Sequence, residues 1–167
     1  DLPVAGVAIK PVAHLSDAEV AELGACGADP AVYEHLGRGA PLDAAHFRKL
    51  RAQAREDAGR PGQRYFHWAI TLPAAIVGYV GLRPEPKRGP AELQLRHFVA
   101  AAHQKKGVAT RAVALALAAR AAWCAPRNPT VWLNVVPGNT AGVKLAQRLG
   151  FVRQGVVSLP GGADLDA

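Results

Sequence analysis

Glu92-Leu93-Gln94-Leu95-Arg96-His97-Phe98-Val99, then the loop 100–107 ending Gln104-Lys105-Lys106-Gly107, then Val108-Ala109-Thr110, is the stretch that decides the fold. Its first part alternates. Leu93, Leu95, His97 and Val99 share one side, and Glu92, Gln94 and Arg96 share the other, which predicts a strand over 92–99. The last part opens a helix to about Trp123, with an apolar stripe of Val108, Ala112, Leu115, Ala119 and Ala122. A strand, a glycine-containing loop and a helix in that order converge free backbone N–H groups on one point, where the helix dipole adds positive charge. Gly107 lets backbone approach a ligand with no Cβ in the way, Ala109 keeps the approach open, and Lys105 and Lys106 add full charges. The junction reads either as a pyrophosphate cradle or as a plain helix start. Neither G-x-x-x-x-G-K-[ST] nor G-x-G-x-x-G occurs, so a nucleotide held by those devices is excluded.

Upstream, residues 65–72 alternate with Phe66, Trp68 and Ile70 on one face, and 76–82 form a second strand after a tight connection at Pro73. Neighbours so joined pair antiparallel. Further upstream, Val7 to Val12 predicts a short strand. Ser16 with Glu19 forms a capping box for a helix to about Leu23, Asp29-Pro30 restarts helix to Leu36, and Asp43 caps a longer helix to Asp57. Gly37 and Gly39, then Gly59, Pro61 and Gly62, break the chain between these elements. Downstream, 131–136 is a strand, and 139–149 is a helix closed by Gly150. Residues 151–159 complete the pattern as a final strand. The order β, helices, β-β-β, α, β, α, β is a mixed sheet with helices on its faces: an α/β three-layer domain over 1–167.

With 167 residues, half of them hydrophobic, the chain can bury one sizeable core. No apolar run approaches the roughly 20 residues of a membrane span; the run from Ala112 to Ala119 stops at Arg120. No signal segment opens the chain, and a cytoplasmic globular protein is the expectation. The chain begins at Asp1 and contains no methionine, which reads as processing or excision. Cys26 and Cys124 form no C-x-x-C pair and the six histidines show no ligand spacing, so neither a disulfide framework nor a metal is expected. The net charge of +7 is uneven. Residues 1–82 carry 8 basic and 9 acidic side chains, while 83–111 carry 7 and 2. A polyanion is favoured in the middle of the chain, either the phosphates of a small cofactor or nucleic acid. No aromatic-basic interleaving or helix-turn-helix supports the second.

The residues also carry a resemblance. Gln104-x-x-Gly107-x-Ala109, with Val99 five residues before it, resembles the Q/R-x-x-G-x-G/A signature of the GNAT acyltransferase superfamily. Asn139-x-Ala141 followed by Leu149-Gly150-Phe151 resembles that family's ending, and Ile76 to Leu82 resembles its I-V-G-x-x-G-L hairpin strand. Ser16-Asp17-Ala18 with Asp29-Pro30-Ala31-Val32 is similar to the opening of the Rim-type branch, which acetylates protein N-termini and some small amines. The resemblance spans roughly residues 7 to 158.

It implies acetyl-CoA as co-substrate, no metal, and a mainly antiparallel sheet splayed between its fourth and fifth strands. Pyrophosphate would sit on the amides from Lys105 to Thr110 (Lys105, Lys106, Gly107, Val108, Ala109, Thr110), with Gln104 beside them. Backbone groups near Phe98 and Val99, on a strand expected to carry a β-bulge, would hold the pantetheine arm. Asn139, otherwise a helix cap, would touch that arm from the other side. The reaction implied is direct acetyl transfer to a primary amine of a protein N-terminus or a small molecule. Glu92 is the expected base, acting through water, with a solvated edge carboxylate as its plainer role. His97 is a second catalytic candidate or a core histidine, and Tyr65, Tyr79 and His103 are substitutes with no placement. Ala146 and Gly142 stand where the family or its Rim-type branch keeps a tyrosine or a serine. A degenerate domain that binds acyl-CoA as a sensor or structural module is therefore the alternative. The family usually runs one more strand after 159, so an edge left open, inviting a second copy of the chain, is expected here. The N-terminal helices, with Glu34, His35, Arg38, Asp43 and Glu56, point to no particular acceptor.

Overall fold

The computed structural model describes residues 5–33, 36, 40–58, 65–89, 92–124, 129–158 and 164–166, of which 122–124, 157–158 and 164–166 only as backbone. Glu34, His35, Arg38, the glycines at 37, 39, 59, 62, 161 and 162, Pro61 and the side chain of Cys124 lie outside the described residues.

Strand β1 (Ala8–Pro11) and a single 3-10 turn lead into α1 (Asp17–Ala28). Its start is the expected capping box. Ser16 Oγ accepts from Glu19 N at 3.2 Å, and Glu19 Oε2 accepts from Ser16 N at 2.8 Å. The helix continues past Leu23, its expected end, to Ala28. Gly24 and Gly27 are buried, and a Cβ on either would collide with the backbone of Ala44 or Leu42. They are there for close packing of helix on helix. A short α2 (Pro30–Tyr33) follows, then α3 (Ala44–Asp57), capped by Asp43 Oδ1 accepting from His46 N at 2.9 Å.

Strands β2 (Phe66–Leu72), β3 (Ala75–Pro84) and β4 (Leu93–Val99) form an antiparallel meander, and β5 (Val131–Leu133) joins β4 in parallel. The five-stranded order is β1-β2-β3-β4-β5. Helix α4 (Val108–Cys124) crosses from β4 to β5, and α5 (Thr140–Arg148) follows β5. The α5 helix ends in a Schellman motif: Phe151 N donates to Ala146 O, Gly150 N donates to Gln147 O, and Gly150 takes φ +80°.

Alternation splits the core in two. Phe66, Trp68, Ile70, Val80, Leu82, Leu93, Leu95 and Val99 pack with Val108, Ala112, Val113 and Ala116 of α4. Ala69, Tyr79 and Phe98 turn the other way and pack with Val20, Leu23 and Phe47 of α1 and α3. The buried stripe of α4 therefore runs through Val113 and Ala116, with Leu115 only partly buried.

Two expectations are corrected. The β3–β4 register runs unbroken from Gly78↔Val99 to Pro84↔Leu93, so β4 carries no bulge; the irregularity lies between β2 and β3 at Ile70/Thr71. The final strand is realised only as β6 (Val156–Ser158), because 151–155 are irregular. The chain runs one further strand, β7 (Asp164–Asp166), which pairs with β6 in a ladder separate from the central sheet. Among the described residues no helix is long and apolar enough to cross a membrane, and no cluster of three metal-ligating side chains occurs.

Candidate active site

The ladder between β4 and β5 lasts for three pairs, Leu93↔Val131, Gln94↔Trp132 and Leu95↔Leu133, and then stops. From Arg96 onward the β5-facing edge of β4 is open, and a cleft of about 1310 Å³ occupies the gap. Two bonds fix which backbone groups look into it. Leu93 N donates to Thr130 O on the β5 side, and Ala100 N donates to Val77 O on the β3 side. Peptide groups alternate along a strand. His97 and Val99 therefore turn their N–H and C=O groups toward the open edge, and Phe98 turns its own toward β3. A bulge would have turned Phe98 around; the continuous register does not. Phe98 lines the cleft, and its ring stacks on Tyr79 with centroids 5.9 Å apart.

The signature loop closes one end. Lys105 (φ 59°) and Gly107 (φ 81°) both adopt left-handed backbone, which turns the chain sharply into α4. The first bond of that helix is Arg111 N to Gly107 O, so the amides of Val108, Ala109 and Thr110 have no partner within the helix. All three residues line the cleft, as do Gln104, Lys105 and Gly107. Gln104 also ties the loop to the strand end: its Nε2 donates to Val99 O at 2.9 Å, which occupies that carbonyl. Lys106 is turned away, its Nζ donating to Ala102 O at 2.7 Å, and does not line the cleft. Lys144 and Arg148 of α5 also line the cleft and add positive charge to it.

Asn139 lies across the gap. Its Oδ1 caps α5, accepting from Gly142 N at 2.9 Å, while the residue also lines the cleft. Gly142 is buried: a Cβ there would lie 2.9 Å from Val135 Cγ1 and 3.1 Å from Asn139 Nδ2. A serine at 142 would press on both.

The two expected catalytic residues part company. Glu92 precedes β4 and does not line the cleft; its Oε2 accepts from the Trp132 indole Nε1 at 2.5 Å. His97 lines the cleft, and its Nδ1 is buried with no hydrogen-bond partner. Burial pushes its pKa down to about 4, so the ring is neutral at pH 7.

Tyr79, one of the substitutes that had no placement, is paired with His67, which the sequence did not single out. Tyr79, 7% exposed, lines the cleft beside Phe98, and its hydroxyl lies 2.7 Å from His67 Nδ1. Desolvation also lowers His67 to about 4. The direction of the bond depends on the tautomer. With Nδ1 bare, the phenol donates to it; with Nδ1 protonated, the phenol accepts. Gly81, on the same face of β3, makes the arrangement possible, since a Cβ there would collide with the Tyr79 hydroxyl. Tyr65 is exposed, and His103 lines the cleft at the loop end.

An open parallel seam, a left-handed loop and unpaired helix amides agree with a family model for the GNAT acetyltransferase domain, which matches residues 8–152. The chain belongs to the GNAT acetyltransferase family. As a GNAT protein it is an acyl-CoA N-acyltransferase.

Solved structures agree at the level of fold. The ribosomal-protein-S5-alanine acetyltransferase of Vibrio fischeri superposes with a TM-score of 0.76 at 15% identity, covering 99% of this chain and 92% of that one. The spermidine N-acetyltransferase of Vibrio cholerae, solved with CoA and spermine, gives 0.71 at 16% identity, covering 97% and 92%. A Salmonella typhimurium protein solved with acetyl-CoA gives 0.66 at 17% identity, covering 96% and 91%. A search among curated proteins finds no significant match.

Proposed function

We propose that this GNAT domain moves the acetyl group of acetyl-CoA directly to a primary amine. The observation that carries the reading is the position of the seam: β4 and β5 part just where the α4 amides, the β4 backbone edge and Asn139 converge. In this reading the amides of Val108, Ala109 and Thr110 take the pyrophosphate, with Lys105 adding charge and Gly107 and Gln104 shaping the loop. The Val99 N–H and the His97 backbone hold the pantetheine arm and polarise the thioester carbonyl. Phe98 walls the arm, and Asn139 Nδ2 reaches it from the opposite side.

In the transfer, the amine nitrogen bonds to the thioester carbon while the C–S bond breaks. The nitrogen loses one proton and the sulfur gains one. Tyr79, switched by the His67 tautomer, can do both, so the enzyme ends as it began. His97, neutral and unpaired at Nδ1, is the other base available to the amine. Glu92, held by Trp132, would have to leave that bond to act. Positioning supplies most of the acceleration; effective molarities of ~10⁵ M or more are available to aligned reactants. A cytoplasmic setting belongs to the same reading. So does pairing of two copies along β5, an edge of the central sheet.

The second reading, acyl-CoA binding without turnover, is favoured by Ala146 and Gly142, which put no hydroxyl on α5 at either position. Calorimetry with acetyl-CoA tests the shared part. Micromolar binding is expected, and Gly107→Trp should abolish it by placing an indole in the phosphate path. Absence of binding by the parent chain would overturn both readings; binding without turnover of any amine would select the second.

A further inference from the structure

The cleft has a second charged end, remote from the signature loop. On the α1/α3 face, alternation lines up Arg83 with Gln94 across β3 and β4, and Gly81 with Arg96. Gln94 is 6% exposed, the one polar residue in the buried set among the described residues. Its Oε1 accepts from Arg83 Nε at 2.9 Å and from Arg96 Nε at 3.2 Å. One neutral carboxamide thus gathers two guanidinium groups that would otherwise repel. Each is gripped by its Nε edge, which leaves the terminal N–H fork of Arg83 directed away from Gln94. Nearby, Arg88 lies over the Trp132 ring, 3.8 Å from its centroid, and Lys87 lines the same wall. Glu85 is the sole carboxylate among the described residues lining the whole cleft. The phosphates of acetyl-CoA do not account for this end, because the α4 amides and Lys105 that take them in the proposed reading lie beyond the other end of β4.

We propose that Arg83 and Arg96, aligned by Gln94, form an anion subsite that selects acceptor amines carrying their own carboxylate. The inference rests on the transferase reading for where the amine reacts. The guanidinium fork of Arg83 suits a carboxylate gripped through parallel N–H···O bonds, and the Arg96 charge beside it adds to the attraction. Spacing narrows the acceptor. Arg96 is two residues and Gln94 four residues from Phe98, roughly 7 and 13 Å along a strand. The nitrogen and the carboxylate are therefore about 7 Å apart or more. A free α-amino acid is too short, whereas a peptide N-terminus with Asp or Glu at its second or third position fits. Asn134 adds an acceptor for the amine itself: its Oδ1 is buried without a hydrogen-bond partner, and the residue lines the cleft. Polycations such as spermine or aminoglycosides are disfavoured by the same charge.

The test is binding of short peptides to the full chain saturated with CoA, a complex in which no transfer occurs. Three peptides differ only at the second residue, Glu, Gln or Lys. The Glu peptide should bind at least about tenfold more tightly than the Gln peptide, and the Lys peptide least, with the differences shrinking as salt rises. Arg83→Ala should bring the Glu and Gln peptides within about threefold of each other while the affinity for CoA is unchanged. Gln94→Glu, near-isosteric, should do the same by placing a fixed carboxylate between the two guanidinium groups, so a misfolded alanine variant does not leave the question open. Equal binding of the three peptides, or a preference untouched by both variants, would overturn the subsite. A carboxylate preference without turnover keeps the subsite and removes the transferase reading. A small ω-amino acid binding as tightly as the Glu peptide would keep the carboxylate rule and make the acceptor a metabolite.

Discussion

Gly81→Ala should cripple the site from a position that touches no substrate. The added Cβ would fall on the Tyr79 hydroxyl, 2.7 Å from Cζ and 3.1 Å from His67 Nδ1. The tyrosine ring cannot simply swing aside, because Phe47 and Phe98 pack on it with centroids 5.6 and 5.9 Å away. Two costs follow. The hydrogen bond to His67 is lost, about 1 kcal/mol and more if the imidazole is left buried and unpaired. A methyl group is also forced into a filled layer, about 1–3 kcal/mol. Together they make ~2–4 kcal/mol, or roughly 5–15 °C in Tm for a chain of this size. Tyr79→Phe separates the two: it keeps the ring packing and loses only the hydroxyl. In the Tyr79→Phe background Gly81→Ala should cost at least about 1 kcal/mol less than alone, because the hydroxyl it strikes is gone. Thermal melts and steady-state kinetics with acetyl-CoA and the best acceptor peptide are the assays. Turnover should fall at least tenfold in both single variants, with acetyl-CoA affinity unchanged. A Gly81→Ala protein that melts within about 2 °C of the parent and turns over normally would refute the placement of Tyr79.

Two shorter predictions follow from the same packing. His67 and His97 are both depressed to about 4 by burial, so the folded state holds them neutral while the unfolded chain protonates near 6.5. Their contribution is complete above pH 6.5 and is lost as pH falls from 6.5 to 4, at up to about 1.4 kcal/mol per unit for each, less for partial exposure. Urea melts at pH 7 and pH 5 should show the loss, and His97→Gln should reduce it; Glu19, held near 2 by Lys10, enters only below about 4.5. Gly27→Ala should destabilise by about 2 kcal/mol or more although alanine is the better helix former, since the new Cβ meets the Leu42 carbonyl; a stabilised variant would show that α1 can shift off α3.

Much of the architecture was legible because it rests on local signals. The Ser16–Glu19 box, the Asp43 cap, the alternation of 93–99 and the terminal Gly150 each act within a few residues, and each stands where expected. The loop that closes one end of the cleft was legible for the same reason: Gln104, Lys105 and Gly107 are contiguous in sequence. What failed were features set by distant partners. Helix α1 runs past its expected end through Gly24 and Gly27, which pack against Ala44 and Leu42, some fifteen to twenty residues on. Glu92 stands just before β4 and has the charge of a base, but Trp132, forty residues on, takes its carboxylate.

The Tyr79–His67 pair shows how a single register step can hide a site. Counting outward from the turn, Leu72 opposes Ala75 and Thr71 opposes Ile76. Continuing that count would set Ile70 against Val77 and Trp68 against Tyr79, with the tyrosine facing α4 beside tryptophan. The structure instead pairs Ile70 with Gly78, because Val77 is the extra residue of a bulge. One added residue reverses every later side chain. Tyr79 thereby moves to the α1/α3 face, opposite Ala69 and one diagonal step from His67. The same step aligns Gly81 with His67 and carries Arg83 onto that face, where Gln94 receives it. The proton pair and the anion subsite are thus consequences of one bulge. Deleting Val77 should therefore disable both together, with turnover and the preference for the Glu peptide lost in the same variant.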